Sequence, residues 1–317
     1  MSTSTPTRRA AIALCAAAWL LPVPRARSAD PPRGFAILYP DIGEPFRSVF
    51  LKIIEGIEEQ ARSHVPAYAV GANANVQELA NELRRQDVRV VIALGRNGLK
   101  TAAAMDQVGI VAGGVLSVPE ADLRRFTVHS LAPDPILLFG QLKSLMPNAR
   151  RIFVSHDPQH NAWLIRRAKE AAHTLGYEVV VQETSELKSA LRFYQDTFNT
   201  ADPKRDVIWL PQDSTTVDEN TVLPYVLQES WTRGIAVFSS SVAHVKRGAL
   251  FALYPNNLEL GRSLATSAVA AMGASHPSRG VLPLKEVLVA VNLRTAGHLG
   301  IQLGARAQRF DLVFPEP

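Results

Sequence analysis

From Phe35 onward the chain alternates short apolar runs with amphipathic stretches, and this alternation constrains the fold more than any single residue does. Phe35-Ala-Ile-Leu-Tyr39 has the pattern of a buried strand. From Pro45 to Ala61, the residues Phe46, Val49, Phe50, Ile53, Ile54 and Ile57 recur at helical spacing, which predicts a helix with one apolar face. Glu44-Pro45 suits its start, because proline gives up no hydrogen bond in a first turn. Further strands are expected at 67–70, 88–94 and 109–116, with helices at 76–86 and 99–105 between them. The pattern then repeats. Strands at 151–155, 178–182, 207–210 and 235–238 alternate with helices at 162–175, 187–198 and 221–232. Such β-α alternation predicts an α/β fold with parallel sheets and helices on both faces. The proline-rich break Ala132-Pro133-Asp134-Pro135 divides the two runs and is read as a crossing between lobes. The tail carries strand patterns at 249–253, 287–291 and 312–314 and helical ones at 257–272 and 295–299, which suit either sheet.

The N-terminus reads as an export signal. Arg8 and Arg9 precede an uncharged run from Ala10 to Leu21, and Ala26 and Ser28 are the small residues a signal peptidase requires. Cleavage is expected near Ser28 or Ala29, by the general or the twin-arginine route. The run is shorter than the roughly 20 residues of a membrane span. Cys15, the sole cysteine, lies inside this run and follows Leu14, so it does not read as a lipid attachment site. Without residues 1–29 the chain has no cysteine, and 30 basic residues stand against 29 acidic ones. Thiol chemistry and a nucleic-acid footprint are therefore not expected. The remaining ~290 residues suit two lobes better than one core.

Parallel α/β sheets bind ligands beyond the carboxyl ends of their strands. There the sequence places Tyr39, Asp41, Glu44, Arg96, Asn97 and Ser117 in the first half. In the second half it places His156, Asp157, Asn161, Gln212, Asp213, Ser214, Ser239, Ser240 and Ser241. Such a ring of polar groups suits a small polar ligand, although polar residues at strand ends also cap the following helices. Tyr39, Trp163, Trp209 and Tyr254 can stack on a flat ligand or pack in a core, and Trp209 after Val207-Ile208 is expected to be buried. Pro40-Asp41-Ile42-Gly43 stands where a dinucleotide-binding glycine loop would be, and there is no Walker loop. Pro158 between His156 and His160 argues against a helical zinc pair, and Ser239-Ser240-Ser241 is not a nucleophile elbow. No catalytic residue, metal or cofactor is expected.

The last third carries an ordered series of short motifs. These are Val237-Phe238-Ser-Ser-Ser241, Val245-Lys-Arg-Gly248-Ala249-Leu250, Tyr254, Leu258-Glu-Leu-Gly261-Arg262 and Val291-Asn292-Leu-Arg-Thr295-Ala296, followed by Leu299-Gly-Ile301. With Met146-Pro147-Asn148-Ala149-Arg150-Arg151-Ile152, this series resembles the ABC transporter substrate-binding proteins of the tryptophan- and tyrosine-binding type. The resemblance implies a type I periplasmic-binding fold: two Rossmann-like lobes, three hinge crossings and a ligand between the lobes. It implies crossings near Pro133, 241–248 and 279–283. The first lobe would comprise 30–133 plus 249–280 and the second 134–248 plus 281–317. The Tyr39–Pro45 loop departs from the family pattern, and Pro255-Asn256-Asn257 replaces its acidic residue. An acid there would recognise a ligand amine, so Asn256 marks a point where ligand choice differs.

These features predict a monomeric, non-enzymatic periplasmic protein that captures a small polar or aromatic molecule and delivers it to an inner-membrane ABC permease. A ligand sensor docking on a membrane kinase or receptor is one alternative. A secreted α/β hydrolase or transferase is another.

Overall fold

The computed structural model describes residues 34–106, 108–116, 125–273, 279–304 and 309–315. The expected export segment and Ser117 lie outside these residues. The first part of the chain forms β1 (Phe35–Pro40), α1 (Phe46–Ala61), β2 (Ala67–Val70), α2 (Val76–Arg85), β3 (Val90–Leu94), α3 (Gly95–Ala103), β4 (Gly109–Val115) and β5 (Thr127–Pro133). It continues through α4 (Pro135–Leu145), β6 (Arg151–His156), α5 (Pro158–Leu175), β7 (Glu178–Glu183), α6 (Leu187–Thr200), β8 (Asp206–Leu210), α7 (Val222–Arg233), β9 (Ala236–Ser239) and α8 (Val242–Arg247). It ends with β10 (Phe251–Pro255), α9 (Asn257–Gly273), β11 (Gly280–Leu284), β12 (Val287–Asn292), α10 (Leu293–His298) and β13 (Leu312–Phe314). Among the described residues no helix is long and apolar enough to cross a membrane.

Two sheets result. The first has the order β11-β5-β4-β3-β1-β2 with every pair parallel. The second has the order β13-β12-β10-β9-β8-β6-β7 and is parallel except where β10 meets β12. The α/β architecture expected from the alternation is therefore present. Apolar clusters line both faces of each sheet, which explains why central strands such as Val90–Leu94 are continuously apolar. Trp209 is fully buried, as its neighbours Val207-Ile208 lead one to expect, and packs edge-on against Phe139 at 5.6 Å.

Three expectations need correction. First, β5, β11 and α4 were not legible as elements. β5 mixes polar and apolar residues, and β11 contains Pro283, tolerated because it is an edge strand. The proline-rich break is itself a helix start. Asp134 caps α4 by accepting a hydrogen bond from the Ile136 N–H, and Pro135 occupies the first turn. Second, the chain changes sheet at different points. β10 stays in the second sheet, paired with β9 and β12, so the return to the first lobe is not at 241–248 but at Pro255–Asn257. Residues 280–284 belong to the first sheet, and the last crossing follows at 285–286. Third, the apolar stripe of α1 is not buried throughout: Phe46 is 66% and Val49 40% exposed, whereas Ile53 and Ile57 are fully buried.

The buried half of α1 packs on α9. Gly56 and Gly261 form the crossing point. A Cβ on Gly261 would lie 2.1 Å from the Ile53 carbonyl oxygen, and one on Gly56 would lie 2.0 Å from that of Leu258. Arg262 flanks the crossing, with Nη2 on Glu59 Oε2 at 2.7 Å and a second contact to Glu259. The Leu258–Arg262 motif is thus a helix-packing device. Burial of Ile53 and Ile57 contributes roughly 1.5–3 kcal/mol each relative to exposure.

Candidate functional site

The crossings orient the two sheets. β5 and β11 leave the first sheet at their carboxyl ends, and β10, parallel to β9, leaves the second sheet at its own carboxyl end. The three connections are bonded into one strip. The Asp134 N–H donates to the Leu284 carbonyl at 2.8 Å, and the Asn256 N–H donates to the Glu286 carbonyl at 2.9 Å. Ser263 Oγ donates to the Glu286 carboxylate. The carboxyl ends of both sheets therefore face one another across this strip, and the loops that follow them form the candidate site.

In the second lobe, the polar residues singled out from sequence turn inward. Asp213 is 7% exposed and accepts four hydrogen bonds. Its Oδ2 receives the Asp157 N–H at 2.7 Å and Asn161 Nδ2 at 2.9 Å, and its Oδ1 receives the Thr215 and Thr216 N–H groups at 3.0 and 3.1 Å. Asp157 accepts from the Gln159 N–H, Ser185 Oγ and Thr215 Oγ1. Burial alone would push the Asp157 carboxyl up. These donors, with His160 nearby, hold it below the ordinary carboxylate value. Ser239 and Ser240 are also buried. Ser240 Oγ accepts from Trp209 Nε1 at 3.2 Å, and its carbonyl accepts from Gln212 Nε2 at 2.6 Å. Asp157, Asn161, Asp213, Ser239 and Ser240 thus come together as the scaffold that fixes three strand-end loops. Gln159, His160, Gln212, Ser214 and Ser241 are the neighbours that retain solvent exposure.

In the first lobe, Asp41, Glu44 and Arg96 are exposed, and Tyr39 and Asn97 are half-buried. Glu44 Oε2 accepts from the Ser48 N–H at 3.2 Å, which ties the loop to α1. Gly95 and Asn97 fall in the first turn of α3, where no side chain caps the amides. The sequence reading missed the apolar part of this edge. Phe46 and Leu116 stand exposed, and the Phe50 ring covers the backbones of Gly95 and Gly114. Helical spacing could not distinguish Phe46 from Ile53. The signal lay in position, because the first turn of a helix after a strand extends beyond the sheet that would cover it. At the crossing, Asn256 Oδ1 accepts from the Glu259 N–H and starts α9, while Tyr254 packs half-buried on the second core.

A Ser–His–Glu array exists beside the site. Ser239 Oγ lies 2.7 Å from His244 Nδ1, and His244 Nε2 lies 3.4 Å from Glu219 Oε1. Ser239 is fully buried, lies 3.0 Å from the Leu210 carbonyl oxygen and accepts the Ser241 N–H. A substrate has no route to that hydroxyl, so the array holds α8 on β9. Among the described residues no group of three or more His, Cys, Asp or Glu side chains is placed to hold a metal.

Burial lowers the pKa of His129, His156 and His244, against the pull of Glu286, Glu183 and Glu219 respectively. The unfolded chain protonates these imidazoles first, near 6.5. Below that pH it binds more protons than the native state does, so stability is present above about pH 6.5 and lost as pH falls through the depressed native values. The midpoint of urea unfolding is expected to drop between pH 7.5 and 5. His156→Gln should flatten that slope, because burial holds this imidazole's pKa down and the amide does not titrate.

The family model for ABC transporter substrate-binding proteins matches residues 129–307. No curated protein sequence matches the chain. Among solved structures, a ligand-free, open substrate-binding protein with adhesive properties from Clostridium difficile superposes with a TM-score of 0.61 at 18% identity, covering 85% of this chain and 95% of that one. An ABC domain in complex with L-Trp from Streptococcus pneumonia gives 0.55 at 16%, covering 89% and 99%. A conserved domain protein from Vibrio cholerae gives 0.54 at 17%, with the same coverage. At these identities the likeness establishes the shared fold, and it extends over both lobes.

Proposed function

The chain belongs to the ABC transporter substrate-binding protein family, and from that premise we propose that it captures one small molecule between its lobes, in the periplasm, and passes it to an inner-membrane ABC permease. The observation that carries this reading is the opposition of two polar strand-end surfaces across a bonded strip of three crossings. The second lobe holds its strand-end loops on a buried hydrogen-bonded scaffold, and ligand contacts made to both lobes favour the closed arrangement. The ligand combines hydrogen-bonding groups with an apolar or aromatic part. Arg96, Asn97, Gln212 and Ser241 serve the first, and Phe46, Phe50 and Leu116 the second. An aromatic solute accords with the L-Trp held by the pneumococcal neighbour. Asn256 in the place of an acid removes the expected partner for an amine, which favours aromatic solutes without one. The burial of Ser239, the hydroxyl of the Ser–His–Glu array, supports a binding role over hydrolysis.

A thermal-shift screen of amino acids, aromatic acids, nucleosides, sugars and cofactors tests this. A ligand at a hundred times its Kd adds about 2.7 kcal/mol of stability. Phe46→Ser is expected to weaken the hit about ten- to a hundredfold, since burying an aromatic ring of that size is worth about 1.5–3 kcal/mol. No stabilising compound, or a hit whose chemical turnover is detected, would remove the reading.

A further inference from the structure

A second concavity, of about 420 Å³, lies on the flank of the second lobe and takes no residue from the first. Its walls are the C-terminal half of α7, the end of α8 and α10 along its length. The Trp231 ring, 40% exposed, forms a shelf. It stacks on His298 with centroids 3.7 Å apart and planes within 8°, and His298 Nε2 contacts the Trp231 carbonyl at 2.7 Å. The Arg294 guanidinium lies 5.3 Å from the Trp231 centroid.

The charge balance of this pocket is one-sided. Lys246, Arg247, Arg294 and His298 line it, and no carboxylate does so among the described residues. Arg247 is engaged by Glu219, which is not part of the lining, whereas Lys246 and Arg294 have no acidic partner among the described residues. The floor is fixed. Asn292 Nδ2 donates to the Val245 carbonyl at 2.9 Å, its Oδ1 caps α10 through the Thr295 N–H, and Thr295 Oγ1 donates to the Gly248 carbonyl at 2.9 Å. Two of the ordered sequence motifs, Val245–Leu250 and Val291–Ala296, are therefore stitched together to build this pocket and not the inter-lobe site. Leu227 and Leu299 add apolar wall. A pocket of this volume, with apolar walls, a flat aromatic shelf and unopposed cations, matches the features of small-molecule sites.

We propose that this flank pocket binds a small organic anion with an apolar body, of the aromatic carboxylate class, independently of any solute held between the lobes. Benzoate serves as the probe, with benzyl alcohol as the uncharged analogue and inorganic phosphate as the anion without an apolar body. The expected result is saturable binding of benzoate by calorimetry, with a Trp231-dependent fluorescence change that Trp231→Phe abolishes. Affinity should fall when sodium chloride is raised from about 20 to 200 mM. Lys246→Gln with Arg294→Gln should weaken binding at least tenfold. Both side chains are exposed, so the urea midpoint should move little, by no more than the lost Arg294–Trp231 contact. Absence of benzoate binding, binding unchanged in the double variant, or equal affinity for benzyl alcohol or phosphate would overturn the proposal.

Discussion

Gly261→Ala is expected to destabilise the protein by about 3 kcal/mol or more. The added carbon would stand 2.1 Å from the Ile53 carbonyl oxygen and 2.9 Å from the Ile57 nitrogen, both backbone atoms of the facing helix. No rotamer relieves such a contact. α1 and α9 must separate, and the buried Ile53, Ile57, Leu260 and Leu264 lose packing with them. Urea unfolding should show the midpoint lowered by roughly 1 M, given slopes of a few kcal/mol per M. Gly140→Ala provides the comparison. It is also a helix-interior glycine, but a Cβ there meets nothing within 4 Å, so the change should be neutral or stabilising by about 0.5–1 kcal/mol. Equal behaviour of the two variants would mean that the helices do not cross at Gly261.

Asp213→Asn is expected to be nearly as damaging as Asp213→Ala. Four donors converge on the two carboxylate oxygens. An amide offers one accepting oxygen and points its NH2 group at two of those donors. Leaving buried donors unsatisfied costs about 1–3 kcal/mol each, so a loss of about 3 kcal/mol is expected from either variant. The loops after β6 and β8 should lose protection against hydrogen exchange while the strands themselves keep it. Binding of the solute found in the thermal screen should weaken by more than tenfold in the same variants. Wild-type exchange protection in Asp213→Ala would show that these loops are held by something else.

The legible parts of the fold were those whose patterns are local. Continuous apolar strands such as Val90–Leu94 and Val207–Leu210 announced themselves, as did the β-α order. The sheet to which a strand belongs is a long-range property. β10 reads the same whether it pairs with β9 or with a first-lobe strand, and only its five-residue register with β12 decides. In the site, residue type was visible and direction was not. Asp157-Pro158 repeats the Asp-Pro helix start of Asp134-Pro135, and both aspartates turn back onto their helices for the same reason: exposed first-turn N–H groups attract the nearest carboxylate. Gln212 and Asp213 are adjacent, yet Gln212 stays half-exposed with its amide on the Ser240 carbonyl, while Asp213 turns into the buried scaffold.

Closure of two rigid lobes on a bound solute is tested most directly by small-angle X-ray scattering of the protein with and without the compound that stabilises it. The radius of gyration is expected to fall on saturation in the wild type, and Phe46→Ser should shift that fall to higher ligand concentration. Saturable binding with an unchanged radius of gyration, and with affinity indifferent to Phe46, would contradict a solute held between the lobes.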